Sequence, residues 1–428
     1  MIKTIFRLPL FFLILSVNSL SGQISYSGKI TPSTMIRLSD QSEISLPFRL
    51  IEYQLRYSRG GIDLITNTAL EARWVNSELT PDVREAYLMW FPSWGEVRFG
   101  KQIHAWGSVD GNNPTDNLNP YDYYFMFLPG TDRKIGVLSA SVKYYSDWWN
   151  LEAVVIPEHH SNRMTFGEKD FPIKPPFEPE EYVEIGQQLE FGARWQINLD
   201  NADISISALE ARDRSFSLFG MTELDWEIIP VYDPHFGYRK TRMLGLDGVT
   251  FFRGITFRGE TAFFKTWNDL NANYTHVMDA EAEYIQYVVQ VEFTLPSDIS
   301  VSTQFIGNEV FWANGTTINL TTNIPLELDE DNFSPGMGTP FAMLADQGLM
   351  FALSRSFMDD DLELSGSTFY NLEMNSYFLG GIIEYSLVKT WKVQFGLTQF
   401  FGNEDELEDS FNDLEDFSHV QVSLEYNF

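Results

Sequence analysis

Cysteine is absent from this 428-residue chain, which removes thiol nucleophiles, thiolate metal sites and disulfides together. Chemistry would have to come from histidines, hydroxyls and carboxylates. The six histidines are His104, His159, His160, His235, His276 and His419. His159 and His160 are adjacent, and neighbours on an extended chain point to opposite faces. A zinc site would need further ligands from elsewhere, so the sequence assigns no metal ligand. His159 and Ser161 are two apart and share a face, the spacing a base and a nucleophile could use. It stands alone beside Asn162 and Arg163, so no catalytic residue is assigned.

The carboxylates are distributed unevenly. Residues 402–417 hold Glu404, Asp405, Glu406, Glu408, Asp409, Asp413, Glu415 and Asp416 without a single Lys or Arg. Glu327, Asp329, Glu330 and Asp331 form a second acidic group. No cofactor is expected: a solvated loop is the preferred reading of 402–416, and loosely bound calcium at the acidic loops is the alternative. Asp110-Gly111-Asn112-Asn113 and Asp116 do not follow the alternating oxygen ligands of an EF-hand, and turn formation explains them. Segment 104–134 is the most informative. It combines Asp110, Asp116 and Asp122 with Tyr121, Tyr123, Tyr124, Phe125 and Phe127. Rings in such number need burial, which an outward loop in open water would not give them.

The elements that must position these residues read as strands. Val420, Val422, Leu424, Tyr426 and Phe428 alternate with Gln421, Ser423, Glu425 and Asn427. The set from Ile185 through Gln187, Leu189, Phe191, Ala193, Trp195 and Ile197 to Leu199 alternates with polar residues, as do Tyr287 to Leu295 and Trp391 to Leu397. Their apolar faces carry many large aromatics. Mean hydropathy is nevertheless slightly negative, at −0.18. No segment offers the roughly 20 consecutive apolar residues of a membrane helix. A transmembrane antiparallel β-barrel reconciles these facts, because only alternate side chains of each strand meet lipid. Its polar face would carry Glu96, Arg98, Glu190, Arg194, Glu292, Lys392 and Glu425 into a lumen of mixed charge.

Tight turns are expected near residues 59–61, 92–93, 146–147, 200–201, 296–297, 359–360 and 388–389. Long connections fall at 104–134, 159–183, 214–237, 311–340 and 402–416. Tracing strands between them puts every long connection on one side, as short periplasmic turns and long outer loops require. The count is about 18 strands, with 16 as the alternative. Trp90, Trp94, Trp148, Trp149 and Trp391 flank tight turns and would form an inner aromatic girdle. The Pro-rich stretch from Lys174 to Pro179 stiffens a loop rather than dividing domains. Residues 1–22 read as a cleaved signal peptide, with Lys3 and Arg7 before the apolar run 8–17. That leaves 23–428 as one barrel domain. The net charge of −31 becomes −33 once Lys3 and Arg7 are removed, which argues against nucleic acid and for cation attraction.

Three resemblances add to this reading. The terminal strand ending in Tyr426 and Phe428 resembles the signal read by the barrel-assembly machinery, which implies that machinery and outer-membrane lipid as partners. His159 and Ser161 have the spacing of the outer-membrane phospholipase pair, but the rest of that pattern is missing. Arg98-Phe99-Gly100-Lys101-Gln102, Trp106-Gly107 and Asn119-Pro120-Tyr121-Asp122 resemble a block in a family of porin-like outer-membrane β-barrels of uncharacterised function. The likeness is close over 95–135 and loose elsewhere, and transfers no substrate or catalytic residue. It implies a porin-like barrel. By analogy with general porins, segment 104–134 would fold inward as the constriction, lined by Asp110, Asp116 and Asp122; an outward lid packed on neighbouring loops is the equal alternative. The expected function is passive or weakly selective diffusion of small hydrophilic solutes, with cations preferred. A non-conducting barrel whose acidic loops bind a protein or polysaccharide is the alternative, and a barrel hydrolase the weakest.

Overall fold

Alternation of apolar and polar side chains commits a chain to strands that are wetted on one face only, and a closed ring of such strands leaves no edge unpaired. The computed structural model describes residues 22–171, 188–224, 231–269, 276–278, 280–319, 324–406 and 409–428. The signal segment, Ile185, Gln187 and the Pro-rich stretch at 174–179 lie outside the described residues.

The chain forms a closed antiparallel barrel of 18 strands, which decides between the two counts. In order these are β1 (Gln23–Ile30, continued by Ser33–Arg37), β2 (Phe48–Arg59), β3 (Ile62–Arg73), β4 (Glu78–Trp90), β5 (Gly95–Gln102) and β6 (Val137–Tyr145). They continue with β7 (Trp149–Ile156), β8 (Glu190–Asn198), β9 (Ala202–Arg212), β10 (Lys240–Phe252), β11 (Ile255–Trp267) and β12 (Ala280–Leu295). The last six are β13 (Ile299–Asn319), β14 (Gln347–Phe357), β15 (Leu362–Asn371), β16 (Tyr377–Val388), β17 (Trp391–Phe401) and β18 (His419–Asn427). Each strand pairs with its sequence neighbours. β1 closes the ring by pairing with both β2 and β18. Pro32, which lacks an N–H, interrupts β1 without changing its register: Ile30 faces Tyr426 and Ser33 faces Ser423.

Eight short turns lie at one end and the long connections at the other. The sequence reading missed the turn at Arg253-Gly254 between β10 and β11, where both residues have positive φ. It also placed 311–319 in a loop. Those residues extend β13 beyond the barrel, where the strand pairs with Ile324–Leu328. The connection after β9 carries its own small sheet, in which Ser217–Leu224 pairs with Val231–Gly237 and with His276–Val277.

Outward side chains are apolar around the ring: Phe191, Trp195, Val289, Phe395 and Val422 are all exposed. At the turn end, Trp90, Trp94, Tyr144 and Trp149 form a chain of ring contacts, and Trp391 packs on Tyr426 at 4.8 Å. A surface of this kind has only lipid as a compatible solvent, so the protein is integral to the outer membrane. At the loop end the inward faces carry Phe369, Phe378 and Phe400, which meet Phe341, Phe411 and Phe417 from the loops. Residues 409–418 of the acidic connection pack around this cluster. They form the short helix Ser410–Leu414, whose Phe411 and Leu414 are fully buried and whose first turn is capped by Asp409.

Candidate functional site

The connection between β5 and β6 leaves the wall, crosses the lumen and returns. Its base is pinched shut by Asn119. The Oδ1 of Asn119 accepts the His104 amide at 2.7 Å, and its Nδ2 donates to the carbonyls of Gln102 at 3.1 Å and Ile135 at 2.8 Å. Both limbs of the loop are thereby joined through one side chain. Buried Gln102 donates to the Ser139 carbonyl on β6 at 3.1 Å. Trp106 packs into the wall at Gly192, where an added Cβ would lie 2.8 Å from the indole. Gly107 follows with φ +94, and a Cβ there would also collide with the Glu260 carboxylate. Gln102, Trp106, Gly107 and Asn119, all members of the quoted sequence block, therefore build the loop's entry and exit.

The loop tip is held by strands far away in sequence. Glu260 on β11 accepts from the Ser108 amide at 3.0 Å, the Thr115 amide at 2.9 Å, the Thr115 hydroxyl at 2.7 Å and the Asn113 amide group at 3.2 Å. Arg258 donates to the Ser108 carbonyl at 2.8 Å. On β12, Gln290 exchanges hydrogen bonds with Asp110, accepting from its amide and donating to its carboxylate, each at 2.8 Å. Gln304 on β13 donates to the Asp110 carbonyl at 2.6 Å and accepts from Asn112 at 3.0 Å. Sequence reading identified none of these receptor residues, because a polar residue on an inward face looks the same with or without a partner.

The three aspartates of the expected constriction occupy different environments. Asp110 is exposed and lines the cavity described below. Asp116 is buried and paired with buried Lys134, whose ammonium also donates to the His104 carbonyl at 3.3 Å. Asp122 is buried too. One of its oxygens accepts the Tyr124 amide at 3.1 Å, and the other meets Arg163 at 3.0 Å, which also binds Glu71 at 3.1 Å. Burial pushes the Asp122 carboxyl up to about 6. The expectation that all three line the path is thus corrected: two are consumed in building the loop, since a buried carboxylate needs partners. Tyr121 and Tyr123 are buried, and burial raises both phenols. Tyr124 is half-buried beneath Arg163, 4.7 Å from its guanidinium, and donates to Glu168 at 3.2 Å. Burial holds His104 at about 3, so it is neutral, with Nε2 3.0 Å from the Ser139 hydroxyl.

The inward charges named from the sequence are paired across the inner face. Glu96 meets Arg98 at 2.5 Å, Arg194 meets Asp247 at 2.7 Å, Glu292 meets Arg258 at 2.6 Å and Lys392 meets Glu384 at 2.5 Å. Glu425 lies 4.0 Å from Lys29. Glu190 binds Arg214 at 2.7 Å and His159 Nδ1 at 3.0 Å. Arg214 in turn donates to the carbonyls of Asn117 and Leu118, each at 3.1 Å, so this cluster braces the inward loop. Ser161 makes no hydrogen bond to His159 among the described residues. Asp409 in the acidic loop accepts from Phe411, Asn403 and Ser376. Among the described residues, no three His, Asp or Glu side chains converge as metal ligands.

A cavity of about 940 Å³ lies between the inward loop and the wall formed by β12 to β18, β1 and β2. Its outer part is apolar, with Ile44, Met126, Phe341 and Phe417. Its far wall carries small residues, Ser302, Ser354, Ser365, Ser367, Gly380 and Gly396, which leave the space unfilled.

No known protein family and no curated protein matches the chain. Solved structures do. OccK2 (OpdF) of Pseudomonas aeruginosa, in complex with glucuronate, shares 8% identity and a TM-score of 0.53, covering 95% of this chain and 97% of its own. OccK11 (OpdR) of the same organism shares 10% identity and a TM-score of 0.51 over 95% and 96%. OccK5 (OpdH) gives 10% and 0.51 over 95% and 98%. At such identities the likeness establishes the fold. The chain shares the fold of these barrels.

Proposed function

We propose that the protein is an outer-membrane channel for passive, weakly selective diffusion of small hydrophilic solutes, preferring cations, with the loop between β5 and β6 as its constriction. One observation carries this reading: a loop clasped at its base and docked by Glu260, Gln290 and Gln304 divides the lumen but leaves a cavity of about 940 Å³ beside it. A barrel needing only a scaffold for surface loops has no use for a wall of serine and glycine facing such a space. The sequence block Gln102, Trp106, Gly107 and Asn119 supports membership of the porin-like family it resembles, because it builds this loop. Acid at the outer loops, together with Asp110 in the cavity, favours cations; salt screens the effect over about 10 Å at 0.1 M. No catalytic role is assigned to any residue.

Conductance and reversal potential of the refolded chain in a planar bilayer test this. Steady conductance with cation preference at low salt is expected. Anion preference would remove the selectivity claim. A fully assembled barrel that passes no current would support instead a closed barrel whose acidic loops bind a partner, a reading favoured by the phenylalanine cluster at the outer end.

A further inference from the structure

We propose that the barrel has a lateral portal between β1 and β2, through which small apolar molecules pass between the lumen cavity and the outer leaflet, with the Trp74 indole as its gate. The ladder that should seal this edge is broken. Among the described residues, backbone hydrogen bonds from β1 to the returning chain stop at Thr31–Leu50, 2.8 Å, and resume at Ile44–Met35, 3.0 Å. Pro32 and Pro47 lie in this interval without an N–H, and the Ser45 amide turns away to Asp170 at 3.2 Å. The Pro32 carbonyl accepts from Leu424 on β18, so the next carbonyl, that of Ser33, points towards β2. Its partner there is the Trp74 indole N–H, at 2.6 Å. Trp74 follows β3, so its ring reaches across β2 and rests on Phe48, with ring centres 5.1 Å apart. A side chain stands where backbone would ordinarily close the wall.

Unpaired backbone facing lipid is costly, and irregular chain at membrane depth is tolerated where it is buried in protein or lines a cavity. Here it lines one. Ile44, Leu46, Pro47, Phe48 and Trp74 all border the cavity of about 940 Å³, although Trp74 is also 48% exposed. The indole is thus shared between the inner space and the outer surface. That surface is apolar at this height, with Ile36 and Val422 exposed on one flank and Leu79 on the other. The five residues that frame the opening carry no charge. Such a frame rejects ions and hydrated solutes, which would lose their water, and admits uncharged molecules with a hydrocarbon body. The route is separate from the ion path of the channel reading and does not depend on it.

The chain has no cysteine, so one introduced thiol reports entry. Ser367 on β15 lies on the far wall of the cavity. The full chain carrying Ser367→Cys is folded in phosphatidylcholine nanodiscs containing N-hexadecylmaleimide, a reagent confined to the bilayer, and labelling is followed by intact mass. A parallel sample receives a water-soluble sulfonated maleimide. The bilayer reagent is expected to label the thiol. Trp74→Ala should speed that labelling at least about tenfold, as loss of a hydrogen bond and a ring contact allows, and leave the sulfonated reagent's rate unchanged. No labelling from the bilayer in either background overturns the proposal, as does labelling that Trp74→Ala does not accelerate. Equal acceleration of both reagents would mean a generally loosened barrel and overturns it too. If Trp74→Ala does not assemble, Trp74→Phe, which keeps a ring and removes the N–H, takes its place with acceleration of the bilayer reagent alone expected. Current in a planar bilayer tests the channel reading independently, because labelling from the bilayer requires no ion flow.

Discussion

Asp116 and Asp122 sit six positions apart on one loop, both buried, yet their carboxylates respond to opposite circumstances. Asp116 neutralises Lys134, which is itself buried, so Asp116→Asn leaves an ammonium without its counter-charge. A loss of about 3–5 kcal/mol in chemical denaturation is expected, the cost of breaking a buried pair from one side. Asp122 shares Arg163 with Glu71, and burial raises its folded-state pKa to about 6 from an ordinary 3.8. The sign follows. A raised acid favours the folded loop most below its unfolded value, and that contribution is lost as pH rises through 6. Asp122→Asn should therefore gain stability relative to the unaltered chain between about pH 4 and about pH 7.5, because the amide keeps the cap and never has to ionise. A stability difference that stays flat with pH would mean that Arg163 already compensates the charge in full.

At the scale of elements, the question is how firmly the loop is docked. Glu260 alone accepts four hydrogen bonds at 3.2 Å or less from the tip, and bonds to a charged group contribute roughly 1.5–3 kcal/mol each. Glu260→Ala should release the tip and raise single-channel conductance while the barrel still assembles. Deleting residues 108–131 should raise it further. If the deletion folds and conducts as before, the narrow point lies instead in the phenylalanine cluster around Phe341 and Phe400. How much of this arrangement the sequence made legible depends on the range of the interaction. Strands were readable because period-2 alternation is local, and β18 shows it residue by residue. The turn at Arg253-Gly254 was not, because arginine in a left-handed conformation belongs to no turn signature and apolar residues flank it on both sides. The loop's aromatic content signalled burial, but its receptors Glu260, Gln290 and Gln304 lie some 150 to 190 residues away, and nothing local distinguishes them.

At the scale of the whole molecule, stability rests on closing the ring. A barrel protects its strands only when the first and last strands pair, and an open edge in lipid would leave several backbone groups without partners. Here the seam is divided. The second half of β1 pairs with β18 from Ser33–Ser423 to Arg37–His419, and the turn-end half depends on Lys29–Asn427, Ile30–Tyr426 and the last residue. Phe428 exchanges both backbone hydrogen bonds with Gly28, at 3.0 and 3.1 Å, and its ring stacks near Tyr53 and Tyr426. Gly28 leaves the space the ring needs, for a Cβ there would lie 2.5 Å from it. Removing Phe428 thus strips the seam of its final pair at the turn end, where the aromatic residues meet the lipid boundary, and removes the residue that resembles an assembly signal. Two outcomes distinguish these roles. If the loss is one of closure alone, Phe428→Leu, which retains the backbone pair and an apolar side chain, should assemble nearly as well as the unaltered chain. If recognition during assembly needs the ring, Phe428→Leu should fall with the deletion in the amount of heat-modifiable barrel recovered from membranes, while both variants refold equally in detergent. Normal recovery of the deletion from membranes would show that the pairs from Ser33 to Arg37 close the barrel unaided.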